Sequence, residues 1–252
     1  MKKNVLQNIA LKWALVGAIS AISSVSTVSY AASVSDGDFG AWSSFYFVTD
    51  DPYVVNPGPN TSNGTATRVG AGGNPGAYLQ VAHTFTTGDT IWTGGIKTDY
   101  SYNPAADGAI ATLSVAADVR QITNIGSSAW QLVVEQSGQR YYSYPLSAFS
   151  GGTWLHVTAT DLSATNFDTN PWTGYAGILP SGNHPDFSVA GAPIQLGFMF
   201  GNRVLGSGTL TNTLGLDNFS VTTSPVPVPA AVWLFGSGLL GLIGVARRKA
   251  KT

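Results

Sequence analysis

Ile194-Gln195-Leu196-Gly197-Phe198-Met199-Phe200-Gly201 decides the fold class. On an extended chain Ile194, Leu196, Phe198 and Phe200 share one side, and Gln195, Gly197, Met199 and Gly201 share the other. A period of two carried by β-branched and aromatic residues marks a half-buried strand. The pattern recurs at 109–117, where Ala109, Ala111, Leu113, Val115 and Ala117 alternate with Ile110, Thr112, Ser114 and Ala116. It recurs again where Trp130, Leu132 and Val134 alternate with Gln131, Val133 and Glu135. Ser137-Gly138 separates this run from 139–145 and reads as a hairpin turn. Further strands are expected at 42–49, 78–86, 90–100, 153–160 and 215–222. Away from the termini no stretch shows helical periodicity, and 30 glycines and 13 prolines punctuate short runs. The fold class is therefore all-β: an antiparallel β-sandwich, jelly-roll-like, of about eight to ten strands. Two stretches, 56–76 and 161–191, read as long irregular loops.

The ends of the chain are built differently. Lys2, Lys3 and Lys12 precede an apolar run at 13–22, and a Ser/Thr/Ala-rich stretch ends in Ser29-Tyr30-Ala31-Ala32. This is the layout of a secretory signal peptide, 1–31, with cleavage expected between Ala31 and Ala32. At the other end Val226-Pro227-Val228-Pro229 forms an extended spacer, because each proline restricts itself and the residue before it. An uncharged run at 230–246 follows, then Arg247, Arg248 and Lys249. As a helix this run would rise roughly 25 Å, enough to span a bilayer with local thinning. The basic residues would act as a membrane stop held on the cytoplasmic side. The expected organisation is a signal peptide, a β-sandwich ectodomain at 32–224, and a tail at 225–252.

The tail resembles the PEP-CTERM sorting signal of Gram-negative bacteria. The match runs from Val226 to Lys249 through Val-Pro-x-Pro-Ala-Ala-x-Trp-Leu-Phe-Gly-Ser-Gly-Leu-Leu-Gly-Leu-Ile-Gly. Val228 stands where that family usually carries Glu. The resemblance implies processing by an exosortase near Pro227 and Pro229, transient residence in the inner membrane, and delivery to the cell surface or extracellular matrix. It also implies association with exopolysaccharide production.

Charge and composition narrow the chemistry. The ectodomain keeps five basic residues, Arg68, Lys97, Arg120, Arg140 and Arg203, against all thirteen acidic ones, a net charge of −8. Such a domain does not bind nucleic acid or anionic lipid through bulk electrostatics. There is no cysteine, so stability rests on core burial rather than disulfides. Glu135 is the only Glu, which rules out the Glu-x-Asp-x-x-Glu signature of sandwich glycosidases. No Gly-x-Ser-x-Gly elbow is present, and His83, His156 and His184 lack zinc spacing. His156, on a strand, is expected to be structural. Asp50, Asp51 and Asp186 are expected to be turn residues.

Sugar C–H faces pack on flat aromatic rings. Trp130 and Trp154 are expected in the core. Trp172 and Tyr175, in the second long loop, and Tyr142 and Tyr144, on one strand face, are the candidate ligand contacts. Three short stretches resemble jelly-roll carbohydrate-binding modules and laminin-G-like sandwiches. Asp36-Gly37-Asp38-Phe39-Gly40-Ala41-Trp42 is similar to their first strand, 152–162 to an inner strand, and Leu216-Asp217-Asn218-Phe219-Ser220-Val221 to their closing strand. The resemblance implies that the first and last strands are neighbours, with a structural calcium between them held by Asp38, Asp217 and Asp36. The function expected is a non-catalytic surface or matrix protein that contacts exopolysaccharide. A glycan-active hydrolase or lyase using an Asp pair and a purely structural matrix component are the alternatives.

Overall fold

The computed structural model describes residues 31–50, 61–86, 88–123, 127–171, 181–204 and 208–226, together with 235 and 238. One sheet holds β1 (Ser33–Asp36), β3 (Asn63–Gly73), β4 (Gly76–Phe85), β6 (Ile110–Gln121), β10 (Leu155–Leu162) and β13 (Leu210–Pro225). Its order is β10-β6-β13-β4-β3, with β1 added to β13. The other holds β2 (Trp42–Asp50), β5 (Asp89–Lys97), β7 (Ser127–Gln136), β8 (Gln139–Ser143), β9 (Ser147–Phe149), β11 (Phe167–Asp168) and β12 (Ile194–Arg203). Its order is β11-β8-β7-β12-β5-β2, with β9 on β7. Every pairing is antiparallel. The all-β antiparallel two-sheet sandwich is as expected. The neighbouring of first and last strands is too, since β1 lies on β13 with Ser33 opposite Thr222.

The alternation read from β12 builds the core. Ile194, Leu196, Phe198 and Phe200 are buried with Trp130, Leu132 and Val134 of β7. They face Leu113, Val115, Ala117 and Val119 of β6 and Leu79 and Val81 of β4. On β13 the parity changes. Leu214 and Leu216 point inward before Asp217-Asn218, and Phe219 and Val221 after it. A bulge with Asn218 at φ 49° inserts the extra residue. Trp42 bridges the layers, edge-on to Phe219 at 5.3 Å and tilted on Phe198 at 5.5 Å. The Ser137-Gly138 turn is present, with φ 53° and 77°, the two positive angles of a type I′ hairpin.

Several expectations are corrected. The supposed loop at 56–76 contains β3, eleven residues paired with β4 from Asn63 opposite Thr84 onward. Its polar and glycine content hid it. An edge strand needs only backbone pairing, and most of β3 is exposed. The stretch similar to an inner strand contains β10, which lies at a sheet edge and pairs with β6. Trp154 precedes that strand and is partly exposed rather than in the core. The signal peptide lies outside the described residues apart from Ala31. So does the expected membrane segment 230–246, apart from Phe235 and Gly238, both helical. Among the described residues no helix is long and apolar enough to cross a membrane.

In the second sheet the central strands β5, β7 and β12 are buried on both faces. Its outward residues Trp92, Ile96, Val133, Tyr142 and Met199 form a separate apolar cluster with Phe45 and Phe47. Glycines make room for it. Gly201 lies opposite Trp92 and Gly94 opposite Phe45, and a β-carbon on either glycine would overlap the facing ring. Gly201→Val should therefore displace Trp92 and cost about 1–3 kcal/mol of overpacking, seen as a lower urea midpoint with an unchanged slope.

Between the sheets at one end sits a buried polar knot. Asn212 Nδ2 donates to Asn202 Oδ1 at 2.5 Å and Ser128 Oγ at 3.3 Å, and Gln121 Nε2 donates to Asn212 Oδ1 at 3.1 Å. His83 lies opposite Asn212 and is fully buried, and burial lowers its pKa to about 3. The unfolded chain takes up a proton below about pH 6.5 that the folded chain refuses, so stability falls as pH falls. The expected loss is about 1.4 kcal/mol per unit from pH 6.5 downward. His83→Gln should flatten that slope between pH 6.5 and 5, measured by urea unfolding.

Candidate functional site

The β7–β8 hairpin sets one wall of an open polar groove of about 590 Å³. Alternation along β8 puts Gln139 and Tyr141 on one face and Arg140 and Tyr142 on the other. Gln139 and Tyr141 line the groove, with Thr169, Gly182, Asn183 and His184 opposite. The second wall is irregular chain, and buried side chains hold it. Asp168 ends β11 and is 2% exposed. It accepts hydrogen bonds from Asn170 N at 2.7 Å and Gly182 N at 3.1 Å. Thr169 Oγ1 and Ser181 Oγ are 2.8 Å apart, so the two ends of the chain leaving and re-entering the groove are tied together. Further on, Gln136 Nε2 donates to Asp186 O and Ala192 O, both at 2.8 Å, and Gln136 Oε1 accepts from Asp186 N at 2.7 Å. Phe187 anchors this segment edge-on to Phe167 at 6.0 Å.

The lining is polar and, apart from the titratable His184, uncharged. It offers an amide from Gln139, an amide from Asn183, the Thr169 hydroxyl and the Tyr141 ring with its phenol. His184 Nδ1 donates to Phe167 O at 2.6 Å, which fixes the imidazole ring in the wall. None of the lining side chains among the described residues is a carboxylate. Such a surface can stack a ring and exchange hydrogen bonds with hydroxyls. It supplies no acid and base pair.

The residues singled out in the sequence are dispersed. Trp172 and Tyr175 lie outside the described residues. Tyr142 is 8% exposed in the outer apolar cluster, packed on Phe47 at 6.1 Å. The expectation of a solvated Tyr142–Tyr144 face is thus corrected, because β2 supplies a ring that covers it. Tyr144 is 39% exposed just beyond β8, its hydroxyl accepting from Asn166 Nδ2. Tyr141, not singled out, faces the groove instead. Asp168 was also missed: a buried Asp that caps two backbone amides looks in sequence like any turn residue.

The three carboxylates expected to hold calcium are each engaged by other groups. Asp36 accepts from Lys97 Nζ at 2.7 Å, Trp42 Nε1 at 2.8 Å and Phe39 N at 2.7 Å. Asp38 pairs with Arg68. Asp217 accepts from the backbone amides of Asn74 and Asn218. Lys97, between Asp36 and Asp99 at 2.7 and 2.8 Å, supplies the positive charge at Asp36. As placed, this donor set does not fit a calcium ion, and among the described residues no cluster of three His, Asp or Glu side chains could hold a metal. His156 is a surface residue whose Nδ1 lies 2.7 Å from Asp118 Oδ1.

No protein-family model matches the chain, and no curated protein matches it in sequence. Among solved structures it is similar to a family 11 carbohydrate-binding module from Clostridium thermocellum in complex with a β-1,3-1,4-mixed-linked tetrasaccharide. That match has 10% identity, covers 75% of this chain and 94% of that one, and has a TM-score of 0.41. It is similar also to the CBM22-1 xylan-binding domain of Paenibacillus barcinonensis Xyn10C, with 11% identity, 81% and 100% coverage and a TM-score of 0.39. At these values the likeness concerns fold alone.

Asp168 governs whether the groove keeps its second wall. Burial works against its ionised form, but the bonds from Asn170, Ser181 and Gly182 outweigh it and hold its pKa below the usual carboxylate value. Its contribution is therefore present above the unfolded pKa, near 3.9, and is lost as pH falls through the folded value. Asp168→Asn should remove amide-exchange protection at Asn170 and Gly182 at neutral pH while leaving β12 protected. Unchanged protection at those two amides would show that the neck is held by something else.

Proposed function

We propose that this chain is an exported, non-catalytic glycan-binding module. In this reading residues 1–31 direct export and are removed, and the tail at 225–252 places the protein briefly in the inner membrane. An exosortase-type enzyme then reads Val226-Pro227-Val228-Pro229 and releases the module to the cell surface or extracellular matrix, where it meets exopolysaccharide. The observation that carries the binding reading is the groove beside Tyr141. Its amides, hydroxyl and imidazole alternate as donors and acceptors next to one aromatic ring. That combination suits a neutral, hydroxylated ligand. A groove without carboxylates in its lining favours binding over hydrolysis by an Asp pair.

Two measurements test the two halves of the proposal. Titration of the mature protein with neutral oligosaccharides should show binding that Tyr141→Ala weakens by about tenfold or more, the loss of one ring contact and its hydroxyl. Binding indifferent to Tyr141 would remove the groove from the account. Intact-mass analysis of the exported protein should find Ala32 at its N-terminus and an end close to Pro227–Pro229. A mature form that still carries Arg247 and Arg248 would remove the sorting step.

A further inference from the structure

On the outer face of the sheet that contains β13, away from the groove, Trp154, Arg120 and Tyr78 form a stack. Gly215 makes room for it: a β-carbon there would lie 2.8 Å from Trp154 Cη2, so the indole lies against the bare backbone of β13. Arg120 is directly opposite Gly215 in the β6–β13 register. Its guanidinium lies over the Trp154 ring at 4.7 Å and over the Tyr78 ring at 5.5 Å. The two rings meet edge-on at 5.7 Å and 80°. Tyr78 is fixed in turn by its hydroxyl, which donates to Gln80 Oε1 at 3.0 Å and leaves the Gln80 amide nitrogen as a donor on the same face.

What sets Arg120 apart is that, among the described residues, no carboxylate forms an ion pair with it. Arg68 pairs with Asp38, Lys97 with Asp36 and Asp99, and Arg140 with Glu135. In a region with thirteen acidic side chains against five basic ones, an ion pair for every cation is the simple expectation. Two carboxylates stand one row away on this face, Asp118 and Asp217, and both are occupied by other donors. Asp118 accepts from Asn218 Nδ2 at 2.7 Å, Asn74 Nδ2 at 3.0 Å and His156 Nδ1 at 2.7 Å. Asp217 accepts from the Asn74 and Asn218 backbone amides. The Arg120 Nε is shut off from solvent with no hydrogen-bond partner among the described residues, which leaves the Nη edge as the part a ligand can reach. The fork is thus orientated by two rings and, among the described residues, has no carboxylate bound to it.

We propose that this stack is a second binding site, one that takes the carboxylate of a uronic acid residue in an acidic polysaccharide. A planar guanidinium presents two parallel N–H groups at the spacing of a carboxylate's oxygens. Trp154 is only partly buried, and the part of its ring that the guanidinium leaves uncovered is offered to the C–H face of the sugar ring that bears the carboxylate. The Gln80 amide and the outer nitrogen of His156, whose side chain is 64% exposed, flank the stack and suit the neighbouring hydroxyls. The choice of a uronate over a peptide carboxylate rests on the extracellular glycan-binding reading above. The site itself does not use the groove.

The test is titration of the mature protein with a galacturonate trimer, its neutral galactose counterpart and a short acidic peptide, in 20 and 500 mM salt. The galacturonate trimer should bind in low salt and weaken in high salt. Arg120→Gln should lose at least about tenfold in affinity, the range for one charge-assisted contact. Arg120→Lys, which keeps the charge but not the fork, should also weaken it. Tyr141→Ala should leave it unchanged, so failure of the groove reading and failure of this one give different results. Thermal melts of both Arg120 variants check that the sheet is intact. Equal binding of the neutral and acidic trimers by the Tyr141→Ala variant, in which the groove is disabled, stronger binding of the acidic peptide, or affinity retained in folded Arg120→Gln would each overturn the proposal.

Discussion

Glycine opposite an aromatic ring is the constraint on which the arrangement of this sandwich depends. Gly201 faces Trp92, Gly94 faces Phe45 and Gly95 faces Phe198 across neighbouring strands. In each pair the ring lies over backbone that a side chain would otherwise fill. Glycine weakens an isolated strand, and a ring laid across it restores the lost contact while sealing the backbone from water. All nine residues of β5 are buried as a result. Strands sealed on both faces are a scaffold rather than a contact surface. The proposed ligand contacts accordingly lie at the margin of this sheet, where β8 and β11 end, and on the outer face of the opposite sheet.

At those margins buried polar side chains replace regular structure. Asp168 and Gln136 each satisfy backbone groups on chain that belongs to no strand. Their burial is tolerated because every bond they make is to a group that would itself be left unsatisfied. Asp118 ties side chains together across the β13 bulge, where it accepts from Asn74 Nδ2 and Asn218 Nδ2. Burial alone would raise its pKa, but bonds from Asn218, His156 and Asn74 hold it lowered and ionised. The rigid strands and these clamps together position a groove wall made of loop.

The two proposed contact surfaces differ in their electrostatics, and the difference follows from how the few cations are used. With a net charge of −8 the ectodomain repels polyanions at long range. Arg68, Lys97 and Arg140 are paired with carboxylates of the domain itself. A groove lined with amides and hydroxyls reads neutral ligands without opposing that field. Arg120 works only at contact distance, where a two-pronged bond outweighs the screened repulsion.

The alternation of β12, β7 and β6 by itself determined that the chain is an antiparallel sandwich, and Ser137-Gly138 determined a hairpin, because side-chain parity and positive φ are local properties. Composition likewise determined that a disulfide framework and a two-Glu glycosidase site were out of reach. The tertiary structure decided what no local pattern holds. It made a strand of the polar β3 largely through backbone pairing, and it covered Tyr142 with Phe47 on the outer face while leaving Tyr141 at the groove. It also paired Asp36 with Lys97, and brought Trp154 across β6 to lie on Gly215 with Arg120. Each of these depends on which strand lies beside which and in what register. Sequence encodes that pairing only through contacts between residues tens to hundreds of positions apart.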